Sequence, residues 1–270
     1  MMVDKIRWGI LGTGNIARQF ARGLTVVDDA ELVAVGSRRQ ETADRFGDEF
    51  DVPRRHASYE ALAHDPGVDA IYVSTLHPYH KDNTLLCLNA GKAVLVEKPF
   101  AINAREAEQM ITAARARGIF LMEAMWTRCT PVMVKVRELL AAGAVGEVRM
   151  ISADFGFRGA MNPEGRWLNL AMGGGALLDV GIYPLSLASM IFGAPSQIAS
   201  IGHLGETGAD EQNAVLLGYD AGQIAILSSA VRTTARTAAF IPGASPPLVN
   251  TPILFIHALT FQALSFCPAQ

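Results

Sequence analysis

The stretch Lys5-Ile6-Arg7-Trp8-Gly9-Ile10-Leu11-Gly12-Thr13-Gly14-Asn15-Ile16-Ala17 decides the fold. Lys5–Leu11 is rich in β-forming residues, and from Ile16 onward Ile16, Phe20 and Leu24 fall on one helical face. Between the two lies G-x-G-x-x-A, in the strand–turn–helix setting that gives the pattern meaning. Gly12 permits the tight turn, Gly14 lets the backbone approach a pyrophosphate, and Ala17 is small enough for the helix to pack closely on the strand. The helix then presents main-chain N–H groups and its positive end to phosphates. A lone G-x-G-x-x-A says little; here the next strand, Glu31–Gly36, arrives on schedule.

The end of that second strand bears on which dinucleotide binds. An NAD site places Asp or Glu there to hold the ribose 2′-hydroxyl. This chain has Gly36-Ser37-Arg38-Arg39. A carboxylate repels a 2′-phosphate, whereas a hydroxyl and a guanidinium bind one, so NADP is expected over NAD. The plainer alternative is that Arg38 and Arg39 open a solvated helix, Arg39–Phe50.

Strands and helices continue to alternate: helix Tyr59–Ala63, strand Val68–Ser74, helix His80–Asn89 and strand Ala93–Val96. Helix Asn103–Arg117 comes next, with Asn103 as N-cap, Glu106 in the capping-box position and Gly118 as terminator. Strand Ile119–Glu123 completes a doubly wound parallel sheet. The strand Ala93–Val96 runs into Glu97-Lys98-Pro99, which puts a lysine at the carboxyl end of an interior parallel strand, where open α/β sheets bind ligands. The loop Thr75-Leu76-His77-Pro78-Tyr79-His80 is expected to cover the nicotinamide or the substrate. Its histidines lack nearby Cys or carboxylate partners, so no metal is expected.

After Trp126 the pattern changes. Helix Pro131–Ala142, strand Gly146–Phe155 and a loop over Gly156–Leu170 precede Gly173-Gly174-Gly175-Ala176-Leu177-Leu178-Asp179-Val180-Gly181-Ile182-Tyr183-Pro184. The last stretch runs into a helix ending near Gly193. Asp179 and Tyr183 are four apart and share a helical face; Gly181 and Pro184 predict a kink beneath the tyrosine. An acid and a phenol so placed are either a proton-handling pair or a capping aspartate and a core tyrosine, and the residues alone leave both readings open. Strands Gln197–Gly202, Gln212–Tyr219 and Gln223–Ala230, the last two joined by an Asp220-Ala221-Gly222 turn, indicate a separate α+β domain.

Composition narrows the function classes. The formal net charge of -3 offers no basic field for nucleic acid. Met1–Ile10 lacks an apolar leader pattern, and no stretch reaches about 18 uninterrupted apolar residues, so neither signal peptide nor membrane span is expected. Cys87, Cys129 and Cys267 are odd in number and widely spaced, as reduced thiols of a cytoplasmic protein would be.

The G-x-G-x-x-A turn, Glu97-Lys98-Pro99 and Gly174–Tyr183 together resemble the glucose–fructose oxidoreductase / inositol dehydrogenase (Gfo/Idh/MocA) family. Within it, His77-Pro78, Phe120–Arg128 and Glu206-Thr207-Gly208 are similar to the group of dihydrodiol dehydrogenases and NADP-linked D-xylose dehydrogenases. The resemblance covers roughly Lys5–Val231. It implies a Rossmann domain over 1–124 and, over 125–231, an α+β substrate domain with a large, mainly antiparallel open sheet that commonly pairs two subunits. It implies that Lys98 contacts the nicotinamide ribose and the reacting hydroxyl, that Tyr183 is the general acid/base, and that Asp179 orients that network. The ammonium would favour the phenolate and lower the phenol's pKa, ordinarily about 10. Expected cofactor contacts are Gly12, Thr13, Gly14, Asn15, Ile16, Ser37, Arg38, Thr75, His77, Glu97 and Lys98; Trp126, Arg149 and Phe155 fall near the substrate in similar proteins.

The expected activity is hydride transfer between NADP and a secondary alcohol of a vicinal diol or sugar, with a homodimer formed through the second sheet if that sheet is intact. The alternatives are an anhydro-ketose reductase of the same family, and a catalytically silent NADP-binding regulator or inactive truncated chain. Residues 232–270 depart from the family. From Ala221 to Gln270 there is no Asp or Glu, and there are five prolines. This tail reads as out of frame or truncated, which would leave the second sheet incomplete.

Overall fold

The computed structural model describes residues 5–157 and 162–231, together with the backbone of Ile253–Ile256. These fall into two compact units, one reaching Trp126 and the other starting at Thr127.

The first unit is an open six-stranded parallel sheet. Its strands are β1 (Ile6–Leu11), β2 (Ala30–Gly36), β3 (Arg54–His56), β4 (Ala70–Val73), β5 (Ala93–Glu97) and β6 (Leu121–Ala124), in spatial order β3-β2-β1-β4-β5-β6. Every pairing is parallel, so all carboxyl ends share one edge of the sheet. The order reverses between β1 and β4, which is where sheets of this kind open a ligand crevice. Helices α1 (Asn15–Leu24), α2 (Gln40–Phe50), α3 (Tyr59–Ala63), α4 (His80–Asn89) and α5 (Ala104–Arg117) supply the crossovers.

Two cores result. On one side Ile10, Val35 and Tyr72 pack with Ala17, Phe20, Ala43 and Phe46. On the other, Leu11, Ile71, Val94 and Val96 pack with Leu62, Leu88 and Met110. Strands buried on both faces need the continuous apolar runs seen here. Helix α5 has the expected ends: the Asn103 side chain accepts the Glu106 N–H at 2.9 Å, and Gly118 takes the left-handed conformation (φ 63°). Strand β3 was not expected. Its Arg-Arg-His is neither apolar nor alternating, and it forms only as the outer edge against β2.

The second unit contains α6 (Pro131–Ala141), α7 (Ile182–Phe192) and strands β7 (Met150–Gly156), β8 (Gln197–Leu204), β9 (Asp210–Gly218), β10 (Ile224–Ala230) and β11 (Ile253–Ile256). The sheet order is β11-β7-β10-β9-β8. β9 pairs antiparallel with both β8 and β10, while β7 runs parallel to β10 and to β11. The sheet is therefore mixed, where a mainly antiparallel one was expected, because the α7 crossover returns the chain in the direction of β7. β11 is a strand within the region expected to be atypical; the rest of 232–270 lies outside the described residues. One sheet face buries Ile151, Ala153, Val215, Leu217, Ala225 and Leu227 with Ala188 of α7. The opposite face leaves Ile201, Leu216, Ile224 and Ile226 exposed by 76%, 49%, 47% and 41%.

The stretch Leu170–Phe192 spans 23 residues at mean hydropathy 1.5, long and apolar enough to cross a membrane by length and composition alone. Asp179 interrupts the apolar stretch, and Gly173 (φ 75°) and Gly175 (φ 133°) interrupt the winding itself, which resumes at Ala176. Here Ala176, Val180, Pro184 and Ala188 of that stretch are core residues.

Candidate functional site

At the carboxyl edge of the first sheet, the chain leaves β1 through Gly12, whose φ of +104° favours glycine, and a Cβ there would stand 3.0 Å from the Ser74 hydroxyl. Gly14 is the N-cap of α1; a Cβ on it would meet nothing within 4 Å. No side chain caps the first turn of α1, and no acidic residue stands in it. Main-chain donors from Asn15 and Ile16 thus open on a space without competing negative charge, which fits a pyrophosphate. Arg18 bonds back to the Thr13 carbonyl at 2.6 Å and fixes the turn from below.

The end of β2 carries Ser37 and Arg38, the residues expected to meet a 2′-phosphate. Ser37 is 7% exposed and its hydroxyl lies 2.5 Å from that of Thr42, which donates to the Arg39 carbonyl at 2.9 Å. Arg38 is exposed, and the Tyr59 hydroxyl is within hydrogen-bonding reach of it. Burial raises the phenol of Tyr59 above its ordinary pKa, against the opposing pull of Arg38. Arg39 serves as the N-cap of α2, so the two arginines divide: Arg39 opens the helix and Arg38 stands beside Tyr59.

Around the end of β5, Glu97 is 8% exposed. Its carboxylate accepts the hydroxyl of Tyr72 on one oxygen and the main-chain N–H of Lys98 on the other, at 3.1 Å. The Lys98–Pro99 peptide is cis. His80, fully buried, lies with Nδ1 2.8 Å from the Pro99 carbonyl oxygen and Nε2 3.0 Å from that of Thr75. It ties the loop after β4 to the loop after β5. Asn83 donates to the Thr75 hydroxyl at 3.1 Å, and Glu123 accepts the Phe100 N–H at 2.9 Å. His77 is buried in the short helical turn that leads into α4, with its ring against that of His80. The structure therefore brings Gly12–Ile16, Thr75, His77, Glu97 and Lys98 to one edge of one sheet. Trp126 begins a short helical turn at the end of this unit.

In the second unit, Asp179 lies inside a π-helical turn, Leu177–Gly181, which passes directly into α7. Such turns cluster at functional sites. The predicted kink beneath Tyr183 takes this form. Asp179 is 5% exposed and accepts from Arg166 at 2.5 Å. Tyr183 packs edge-on against Phe155, ring centroids 5.1 Å apart. Arg149 does not join this cluster. It precedes β7 and pairs with Glu147 at 2.6 Å, whereas Phe155 is near the far end of that strand, about 20 Å away at the usual rise per residue. Spacing in a family pattern does not reveal that the two residues stand at opposite ends of one strand.

Sequence reasoning also missed Tyr72, Arg166, Asp210, Asn213 and Ser229. Asn213 follows Asp210-Glu211-Gln212 and Ser229 follows Ser228, so neither stood out from its strand. Among the described residues no group of three or more His, Cys, Asp or Glu side chains is placed to hold a metal.

Comparison with known proteins respects the same division. Residues 6–125 match the family described as "Oxidoreductase family, NAD-binding Rossmann fold", and residues 133–243 match the "GFO/IDH/MocA C-terminal domain". The chain is 42% identical over 242 residues to trans-1,2-dihydrobenzene-1,2-diol dehydrogenase of Mus musculus, covering 88% of the chain and 72% of that relative. It is 44% identical over 221 residues to the Sus scrofa protein of the same name, covering 80% of the chain and 65% of the relative. Among solved structures it is similar to a 3-ketoreductase from Actinomadura kijaniata in complex with TDP-benzene and NADP, with TM-score 0.75, 31% identity and coverage of 86% and 71%. It is also similar to an aldose–aldose oxidoreductase from Caulobacter crescentus, with TM-score 0.79, 28% identity and coverage of 84% and 72%. With the parallel sheet, its glycine turn and the mixed second sheet in place, the chain belongs to the GFO/IDH/MocA oxidoreductase family and carries that family's NAD(P)-binding Rossmann domain.

Proposed function

We propose that this chain is an NADP-dependent oxidoreductase acting between a secondary alcohol of a vicinal diol or sugar and the corresponding carbonyl. The observation that carries the reading is the placement of Lys98 at the carboxyl end of β5, on the same sheet edge as the uncapped Gly12–Gly14 turn. Bound NADP supplies the hydride chemistry. Asn15 and Ile16 would hold its pyrophosphate, and Ser37 and Arg38 its 2′-phosphate, with no carboxylate in Gly36–Arg39 to oppose it. Lys98 polarises the reacting hydroxyl, its backbone held by Glu97. Tyr183 takes the proton as general base and returns it in the reverse direction; Asp179, paired with Arg166, orients that side chain. Assistance of this kind is worth about 10²–10⁴ in rate.

Support for the substrate class comes from the dihydrodiol dehydrogenase relatives and from the 3-ketoreductase and aldose–aldose oxidoreductase among the similar structures. The 3-ketoreductase has itself been crystallised as variants at a lysine and at a tyrosine. Those two structural neighbours also favour, as a second reading, reduction of a sugar carbonyl. The exposed face bearing Ile201, Leu216, Ile224 and Ile226 suits a homodimer.

The test is purified chain with NADP or NAD against trans-dihydrodiols, D-xylose and D-glucose, read by absorbance of the reduced cofactor, and with NADPH against ketoses. Diol or sugar oxidation preferring NADP is the expected outcome. Tyr183→Phe and Lys98→Met are each expected to lose about 10²-fold in turnover or more while still binding NADPH. Unchanged turnover in either variant removes that residue from the reaction.

A further inference from the structure

Beneath the turn that carries Asp179, three polar side chains form a row across β9 and β10. Asp210, the first residue of β9, accepts the Leu177 main-chain N–H on Oδ2 at 2.8 Å and the Asn213 amide on the same oxygen at 2.7 Å. Asn213 Oδ1 accepts the Ser229 hydroxyl at 2.9 Å. Asn213 and Ser229 are direct cross-strand partners, so the sheet register itself holds that link. Ser229 is 4% exposed.

The row meets the turn at both ends. Leu177 is its first residue, and its N–H is the one Asp210 takes. Gly181 is its last residue, and a Cβ there would stand 2.8 Å from the Ser229 hydroxyl. A Cβ on Gly175, just before the turn, would collide with the Asp210 carboxylate. Both glycines are thus required by the row.

A π-helical turn holds one residue more than an α-helical turn and is rare because regular winding is favoured. Loss of that extra residue rotates the downstream helix by about 100° relative to the segment upstream of the turn. Asp179 lies within the turn and Tyr183 lies beyond it, so their relative direction depends on the turn staying wound as it is. We propose that Asp210, Asn213 and Ser229 form a strut that keeps Leu177–Gly181 in its five-residue form, and that they are positioning residues for Asp179 and Tyr183. This rests on Tyr183 as the proton-handling group, but one arm of the test is independent of that reading.

The full chain is compared with Ser229→Ala, Asp210→Ala, Asp210→Asn, Gly181→Ala and the Gly181→Ala/Ser229→Ala double variant. In protein labelled at the tyrosine ring Cζ, with the Tyr183 resonance assigned through Tyr183→Phe, that resonance moves in Ser229→Ala and Asp210→Ala. It stays near its original position in Asp210→Asn, whose amide oxygen still accepts from Leu177. In turnover, Ser229→Ala and Asp210→Ala lower kcat about 10- to 100-fold and displace its pH profile, with KM for the diol nearly unchanged. NADPH affinity, read by fluorescence, stays within about twofold because its site is on the other unit. Gly181→Ala is worse than Ser229→Ala, and the double variant returns to the level of Ser229→Ala, because the clash has been removed. An unmoved Tyr183 resonance in both Ser229→Ala and Asp210→Ala overturns the strut, as does a double variant whose losses multiply. Full turnover in Tyr183→Phe overturns the role of the tyrosine instead, and leaves the resonance result to decide on the strut.

Discussion

The Tyr72 hydroxyl donates to the Glu97 carboxylate, whose other oxygen takes the main-chain N–H of Lys98. Tyr72 also stacks on Phe20 of α1, ring centroids 3.9 Å apart, so the helix behind the glycine turn is linked through two side chains to the lysine. Removing the hydroxyl takes a donor away from a buried carboxylate. Tyr72→Phe is therefore expected to cost about 1–3 kcal/mol in urea unfolding. It should also weaken NADPH binding; an unfolding midpoint and affinity equal to those of the parent would show that the contact contributes nothing.

Arg38 gives a prediction on cofactor choice. Arg38→Ala should lower NADPH affinity about tenfold or more while leaving NADH affinity nearly unchanged, since a 2′-hydroxyl offers the guanidinium no charge. Added salt should weaken NADPH binding in the parent and do so less in the variant. Equal losses for both cofactors would place Arg38 outside the adenosine pocket.

Arg166 reaches Asp179 with half of its own side chain in solvent, which moderates the expected loss. Arg166→Met leaves a buried carboxylate with its cation removed and should cost about 1–3 kcal/mol of stability. Asp179→Asn in the same chain should recover part of that. Denaturant melts of the single and double variants decide it, with simple addition of the two losses as the contrary result.

A pH effect comes from Arg7 and Asp69, which pair at 2.6 Å. The hydrogen bond from Arg7 holds the Asp69 carboxyl down to about 2, from 3.8. A depressed carboxyl contributes stability that is present above its unfolded pKa and lost as pH falls through the folded one. The margin in Tm of the parent over Arg7→Met should therefore be largest at pH 4 and above, and should close between pH 4 and pH 2. Because the pair is largely exposed, the margin should also shrink in salt. A margin independent of pH would assign it to packing.

Burial pushes the Cys87 thiol up to about 12. The thiolate is the reactive species, so this cysteine should resist thiol reagents until the protein unfolds. Cys87→Ala should leave the number of thiols titrated by a disulfide reagent unchanged in native protein and lower it by one in denaturant. A lower native count would show that α4 opens under native conditions.

The parts legible in the sequence were those with local causes. The turn Gly12–Gly14, the Asn103 cap and the Gly118 stop each depend on residues within a few positions, and each stands where expected. Strand β3 was not legible because Arg54–His56 owes its conformation to β2 alone. The π-helical turn was hidden for a related reason: glycine and proline announce a departure from α-helix, but the form it takes is imposed by Asp210 and Ser229, more than thirty residues further along the chain. Arg166, in a loop without periodicity, gave no sign that it would meet Asp179. Arg149 was placed near the substrate by resemblance alone, and no local feature of the sequence shows that it and Phe155 stand at opposite ends of one strand.

The open face of the second sheet has a practical consequence for anyone handling the protein. With Leu216 directly across from Ile226, and Ile201 and Ile224 beside them, native protein at low concentration should bind a dye such as ANS and make it fluoresce. Raising the concentration should quench that signal if a second copy covers the face. Fluorescence strictly proportional to protein would mean that the oily surface stays wet, and that storage, freezing and filtration losses are to be expected from it.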